Sequence, residues 1–182
     1  MTKACAALLD RDGVLNVDRG YTHRPEDLAF MPGAVEAVRR LNRAGRRVIV
    51  VTNQAGVARG LYDEAAVNRF HAAMGAALEA EGARIDAFYY CPYHPEAVVA
   101  AYRHADHPDR KPNPGMVLRA LSDFDVALQD AFLIGDRDSD IQAAAAAGIR
   151  GYLYQGGDLD RFVEAVLSAE AGLMGAAGAV GE

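Results

Sequence analysis

The run Ala4-Cys5-Ala6-Ala7-Leu8-Leu9-Asp10-Arg11-Asp12-Gly13 decides the fold. Six residues with no polar alternation suit a strand buried on both faces, as in a parallel sheet. The aspartates that end it fall where an open parallel sheet binds ligands, in the crevice beyond the strand's carboxyl end. Gly13 then permits a sharp turn. Four further short apolar runs follow at 47–51, 85–90, 131–134 and 151–154, the first of them β-branched almost throughout. Helical periodicity separates them. Ala34, Val35, Val38 and Leu41 share one face ahead of Gly45. Val67, Phe70, Met74 and Leu78 form a stripe within 65–81. Met116, Val117, Ala120 and Leu121 mark a third helix after Pro114, and 141–147 a fourth ending at Gly148. Strands alternating with helices predict an α/β fold with a doubly wound, mainly parallel sheet.

A chain of 182 residues with 51% hydrophobic and 24% charged residues suits one compact domain, placed at 1–168. The alanine- and glycine-rich stretch 169–182 reads as a helix end fraying into a mobile tail. The net charge of −6 argues against nucleic acid as a partner, and two cysteines, Cys5 and Cys91, make no disulfide framework. No apolar run approaches the ~20 residues of a membrane span, and no signal h-region is visible. A soluble, cytoplasmic, monomeric protein is expected, with no membrane partner.

Polar groups recur at the predicted strand ends. Asp10 and Asp12 follow the first, Thr52, Asn53 and Gln54 the second, and Asp136, Asp138 and Asp140 the fourth. Arg110-Lys111-Pro112 closes a long loop that begins at Pro92. Singly, each has a structural explanation: aspartates form turns and cap helices, and lysines are usually solvated. Together they do not. Carboxylates gathered at one sheet edge repel, so a cation must hold them, and carboxylate oxygens suit Mg²⁺, which also binds substrate phosphate. Such an ion, with a lysine and a hydroxyl nearby, points to phosphoryl transfer.

The segments Asp10-Arg11-Asp12-Gly13-Val14, Val51-Thr52-Asn53-Gln54, Arg110-Lys111-Pro112 and Gly135-Asp136-Arg137-Asp138-Ser139-Asp140 resemble the four motifs of the haloacid dehalogenase (HAD) superfamily of phosphatases. Three more segments, at 16–21, 30–33 and 52–60, resemble its heptose-bisphosphate phosphatase subfamily, to which histidinol-phosphate phosphatases are close kin. The likeness covers residues 4 to 157. It implies a Mg²⁺-dependent hydrolase acting on a small phosphorylated metabolite, the 7-phosphate of D-glycero-D-manno-heptose 1,7-bisphosphate, through an aspartyl-phosphate. Histidinol phosphate is the alternative substrate, and a non-catalytic module that binds a phosphorylated ligand is the alternative of another class.

The resemblance implies a role for each matched residue. Asp10 is the nucleophile. Asp12 is the general acid and then the base. Thr52 bonds the phosphoryl group, and Lys111 offsets its charge. Asp10, Asp136 and the Asp12 carbonyl hold Mg²⁺, while Asp140 orients Lys111 or a metal-bound water. Substrate contacts are implied for Asp18, Arg19, Gly20, Tyr21, Thr52, Asn53, Gln54, Ala55, Arg110, Lys111 and Arg137; Arg59 is read as fixing its loop.

Relatives commonly carry a structural zinc between the strand at 85–90 and Arg110, held by a Cys-x-His and a Cys-x-Cys pair. Here Tyr93 takes the histidine position, and His107 and Asp109 take the cysteine positions. A site of Cys91, His94, His107 and Asp109 is chemically possible, but structural zinc prefers thiolates and one thiol remains. The expectation is a loop without zinc, held by prolines, hydrogen bonds and packing of Tyr93 and Tyr102. His23, His71 and His104 have no partners at ligand spacing and read as ordinary surface or helix residues. Only 40 positions separate Asp12 from Thr52, and 59 separate Thr52 from Lys111, so neither gap houses a cap domain.

Overall fold

A computed structural model describes residues 4–178. Five parallel strands form one sheet: β1 (Ala4–Leu9), β2 (Arg46–Asn53), β3 (Ala87–Cys91), β4 (Val126–Gly135) and β5 (Arg150–Leu153). Their order is β3-β2-β1-β4-β5. The helices are α1 (Ala34–Arg43), α2 (Glu64–Ala80), α3 (Gly115–Asp123), α4 (Asp138–Ala147) and α5 (Leu159–Gly178). The strand order reverses between β1 and β4, so the ligand crevice of a doubly wound sheet falls beyond their carboxyl ends.

Side chains alternate across the sheet, which explains why β1 is apolar without interruption. Ala7 and Leu9 join one core with Val38 and Leu41 of α1, Phe70, Met74 and Leu78 of α2, and Val163 and Val166 of α5. Ala6 and Leu8 join the other with Met116, Val117 and Leu121 of α3 and Ala144 and Ala147 of α4. Leu8 and Leu9 are fully buried, and burying each such side chain contributes about 1.5–3 kcal/mol. Sequestering both faces fixes β1 in the middle of the molecule and leaves Asp10 as the first residue free of the core. No separate cap lies between the motif-bearing strand ends; α1, then α2 with β3, fill the two gaps.

Two expectations change. β4 begins at Val126, not near Ala131, because its first half is an irregular extension with Leu128 and Gln129 in solvent, which hides its strand character. The boundary drawn at 168 falls inside α5. That helix runs to Gly178, and Glu170 anchors it: the side chain is buried and accepts from the Arg150 guanidinium and the Tyr152 hydroxyl. Residues 179–182 of the expected tail lie outside the described residues. Among the described residues no helix is long and apolar enough to cross a membrane.

Candidate active site

The register sets the site. Leu9 pairs with Ile134 on one side and Val50 on the other, so Asp10 emerges between Gly135-Asp136 and the end of β2 at Thr52. The Asp10 amide donates to the Ile134 carbonyl at 2.9 Å, extending the sheet by one bond before the chain turns. Gly13 turns it with φ +83°, and a Cβ there would collide with the Asp136 carboxylate, so the backbone approach needs glycine twice over.

Lys111 binds the strand ends together. It is 3% exposed, and its ammonium donates to Asp10 Oδ1 at 2.8 Å, to Asp140 Oδ1 at 2.6 Å and to the Val51 carbonyl at 2.8 Å. Burial alone would lower its pKa, but the carboxylates of Asp10 and Asp140 outweigh that and hold it above the ordinary lysine value. Asn53 fixes the lysine backbone: its amide donates to the Lys111 carbonyl at 2.9 Å, and its oxygen accepts the Lys111 N–H at 3.1 Å. Thr52 Oγ1 accepts from Gln54 Nε2 at 2.9 Å, which leaves the buried threonine hydroxyl its own proton to donate.

Asp12 faces the same hollow, with its carboxylate restrained from three sides. Arg11 Nη2 lies 3.0 and 2.9 Å from its two oxygens, Asn16 Nδ2 donates to Oδ1 at 3.0 Å, and Gln54 Nε2 donates to Oδ2 at 3.0 Å. Tyr62 completes the row by donating to Gln54 Oε1 at 2.8 Å.

Among the described residues, ligand atoms of Asp10, Asp136 and Asp140 form the metal-competent cluster, all within 4.8 Å of one another. Asp140 is already committed, to Lys111 through Oδ1 and to the Arg137 N–H through Oδ2 at 3.0 Å. Asp136 is not: its Oδ1 is buried with no hydrogen-bond partner. An orphaned buried carboxylate oxygen is costly unless a cation meets it. Burial, then the charges of Asp10 and Asp140, push the Asp136 pKa up to about 6. The donor set is all oxygen, which fits Mg²⁺.

The surrounding cavity, about 600 Å³, is lined by every sequence-selected catalytic and substrate residue except Arg19. A larger hollow of about 700 Å³ lies nearby between His23–Glu26 and Val99–Tyr102; it contains none of the carboxylates at the strand ends, so chemistry and not size selects the site.

The chain is 47% identical over 163 residues to the D-glycero-beta-D-manno-heptose-1,7-bisphosphate 7-phosphatase of Rhodopseudomonas palustris, covering 89% of each. It belongs to the HAD-superfamily heptose-bisphosphate phosphatases. A family model described as HAD-hydrolase-like matches residues 109–170. The D-glycero-alpha-D-manno-heptose-1,7-bisphosphate 7-phosphatase of Burkholderia mallei is 45% identical, over 79% of this chain and 76% of that protein. Among solved structures, the D,D-heptose 1,7-bisphosphate phosphatase of B. bronchiseptica, complexed with magnesium and phosphate, superposes with a TM-score of 0.71 at 37% identity, covering 88% of this chain and 86% of that one.

Within this HAD phosphatase the selected residues divide by what their side chains touch. Asp18, Gly20, Tyr21, Ala55, Arg110 and Arg137 line the open side of the cavity. Asp18 accepts from the Gly20 N–H at 2.9 Å and pairs with Arg137 at 3.2 Å. Arg19, beside the positive φ of Gly20 and Tyr21, lines instead a neighbouring hollow with Tyr21–Arg24 and Asp27. Asn53 and Gln54 reach the cavity, but their amides are engaged with Lys111, Asp12 and Thr52. Arg59, read as a loop anchor, lines the cavity with a buried Nε that has no partner.

The loop at 92–114 is held by aromatic packing and hydrogen bonds. Tyr93 stacks on His107 at 4.0 Å and meets Tyr102 edge-on at 5.8 Å. His94 Nδ1 accepts the Glu96 N–H, His107 Nδ1 accepts the Asp109 N–H, and Asp109 Oδ2 pairs with Arg119. Cys91 Sγ lies 3.8 Å from His107 Nδ1, and burial pushes its thiol pKa up.

Arg11, Asn16 and His71 escaped the sequence reading. Asn16 carried a faint signal, as a polar residue inside Val14-Leu15-Asn16-Val17. His71 is a helix residue, as one of its two readings had it, but it is not at the surface: it lies on the apolar stripe of α2, buried against Arg11. Arg11, between two aspartates, looks like a solvated charge, yet it is fully buried.

Proposed function

We propose that this chain hydrolyses the 7-phosphate of D-glycero-D-manno-heptose 1,7-bisphosphate through an aspartyl-phosphate on Asp10. The observation that carries the reading is the convergence of Asp10, Asp12, Thr52 and Lys111 on one cavity from two strand ends and a loop, with Asp136 brought beside Asp10 from a third strand end. Asp10 Oδ1 is held by Lys111, which leaves Oδ2 to attack phosphorus. As the new P–O bond forms and the ester P–O bond breaks, Asp12 protonates the departing alkoxide. Asp12 then takes a proton from water as the water oxygen attacks the acyl phosphate, releasing phosphate and restoring the Asp10 carboxylate. Thr52 donates to a phosphoryl oxygen. Lys111, with all three N–H bonds engaged, contributes chiefly its charge.

Asp10, Asp136 and the Asp12 carbonyl would hold Mg²⁺, which when bound neutralises charge on the phosphoryl oxygens. The second phosphate of a bisphosphate suits Arg59 and Arg110, which line the cavity and have no carboxylate partner among the described residues. The loop at 92–114 works without zinc: its histidine Nδ1 atoms are already bonded and its single thiol resists deprotonation. Elemental analysis of purified protein is expected to find well under one zinc per chain.

The test is phosphate release from the alpha and beta 1,7-bisphosphates and from histidinol phosphate, with and without Mg²⁺. Asp10→Asn is expected to lower turnover at least about 10³-fold, as removal of a nucleophile does, with unchanged circular dichroism. A folded Asp10→Asn protein retaining most of the rate would refute the mechanism, and faster hydrolysis of histidinol phosphate would reassign the substrate.

A further inference from the structure

Arg11 is an arginine with no exposure at all, one residue from the nucleophile. Its guanidinium lies 4.5 Å over the Phe70 ring. Nη2 reaches both Asp12 oxygens and donates to the Thr22 carbonyl at 2.7 Å; Nη1 lies 3.3 Å from His71 Nε2. Nε has no partner. Arginine has donors only, so His71 Nε2 is the acceptor and the ring proton sits on Nδ1. Packing fixes that ring, stacked on Phe88 at 4.6 Å and edge-on to Tyr90 at 5.8 Å.

As a stabilising device this is a poor choice. A buried ion pair with an unsatisfied nitrogen is often no better than apolar residues of the same volume. What it does supply is direction. A guanidinium gripped by an aromatic face, a histidine and a carbonyl presents its nitrogen to Asp12 from a fixed place, and a rigid second layer holds a catalytic group in its productive geometry. The Thr22 contact also ties Asp12 to the loop at 13–32 that overhangs the cavity.

We propose that Arg11 is a positioning residue for the acid–base aspartate, aimed by His71 from α2. Aligned by Arg11, the Asp12 carboxyl meets the leaving oxygen; without it, Asp12 keeps its chemistry but loses its aim. The proposal rests on the phosphatase reading and adds to it a dependence on how much help the leaving group needs.

That dependence is the test. The second-order constant kcat/KM covers events up to leaving-group departure, so it reports Asp12 as acid and not as base. An alkyl phosphate such as glycerol phosphate needs a proton on its departing oxygen, whereas p-nitrophenyl phosphate does not. Both are measured with Mg²⁺ for wild type, Arg11→Lys, His71→Leu and His71→Gln. Arg11→Lys and His71→Leu are expected to lower kcat/KM for the alkyl ester by at least about 30-fold and for the nitrophenyl ester by less than about threefold, since general acid catalysis contributes roughly 10²–10⁴-fold. His71→Gln, which keeps an acceptor for Arg11, is expected to restore most of the alkyl-ester rate. His71→Leu puts an apolar side chain among aromatic rings, so it keeps a folded variant in the test even where Arg11→Lys fails to fold. Equal losses on both esters, or an undiminished alkyl-ester rate in either folded variant, overturn the proposal. Wild type inactive on both esters and on the 1,7-bisphosphates would instead overturn the phosphatase reading.

Discussion

Lys111 has three N–H bonds and all three end on protein acceptors, two of them carboxylates. The arrangement keeps a positive charge where water cannot follow and makes the lysine part of the frame around Asp10. His71 shows the opposite use of burial. Burial, then the Arg11 charge, push its pKa down to about 3 from the ordinary 6.5. Unfolded chains therefore bind a proton below pH 6.5 that the folded protein refuses until about pH 3. The contribution to stability is complete above pH 6.5 and is lost as pH falls through that window, by up to about 1.4 kcal/mol per pH unit. Urea titrations at pH 7, 5 and 4 are expected to show a shallower acid-side loss for His71→Gln than for wild type. Parallel curves would mean that His71 takes up protons as readily folded as unfolded.

At the level of elements, α5 is held at its far end by a carboxylate. Glu170 sits buried against Arg150, with Arg46 at 4.0 Å, so removing it strands charge in the interior. Glu170→Ala is expected to cost about 3 kcal/mol, the low end for breaking a buried pair, or roughly 6–12 °C in melting temperature; calorimetry decides it, and a shift under about 2 °C would make the pair incidental. This anchor was illegible in the sequence, where Glu170 stands among alanines and glycines that predict a loose end. The five strands were legible because burial on both faces leaves an unbroken apolar run, and the first half of β4 was not because Leu128 and Gln129 face solvent. Asp10, Asp12, Thr52, Lys111 and Asp136 could be found because strand ends and motif spacing mark them. The groups that aim them could not. Arg11 and His71 earn their burial from partners 60 positions apart, a distance that local patterning does not span.

Over the whole molecule, four carboxylates, Asp10, Asp12, Asp136 and Asp140, meet two buried cations, Arg11 and Lys111. A divalent ion that binds only the folded form stabilises it by mass action, about 2.7 kcal/mol at a hundredfold excess over Kd. For a chain of this size that is roughly 5–10 °C, read by thermal unfolding across a Mg²⁺ titration. Asp136→Asn is expected to abolish most of the increment; an unchanged increment would locate the ion elsewhere. Because β1 lies between β2 and β4, no single stretch of chain carries the reactive constellation. A compact intermediate with its helices and hairpin-free strands formed, but with β4 not yet docked, would hold Asp10 without Asp136 or Asp140 beside it. Turnover is thus a probe of native packing: regain of phosphatase activity during refolding should lag the regain of helical signal and coincide with docking of β4.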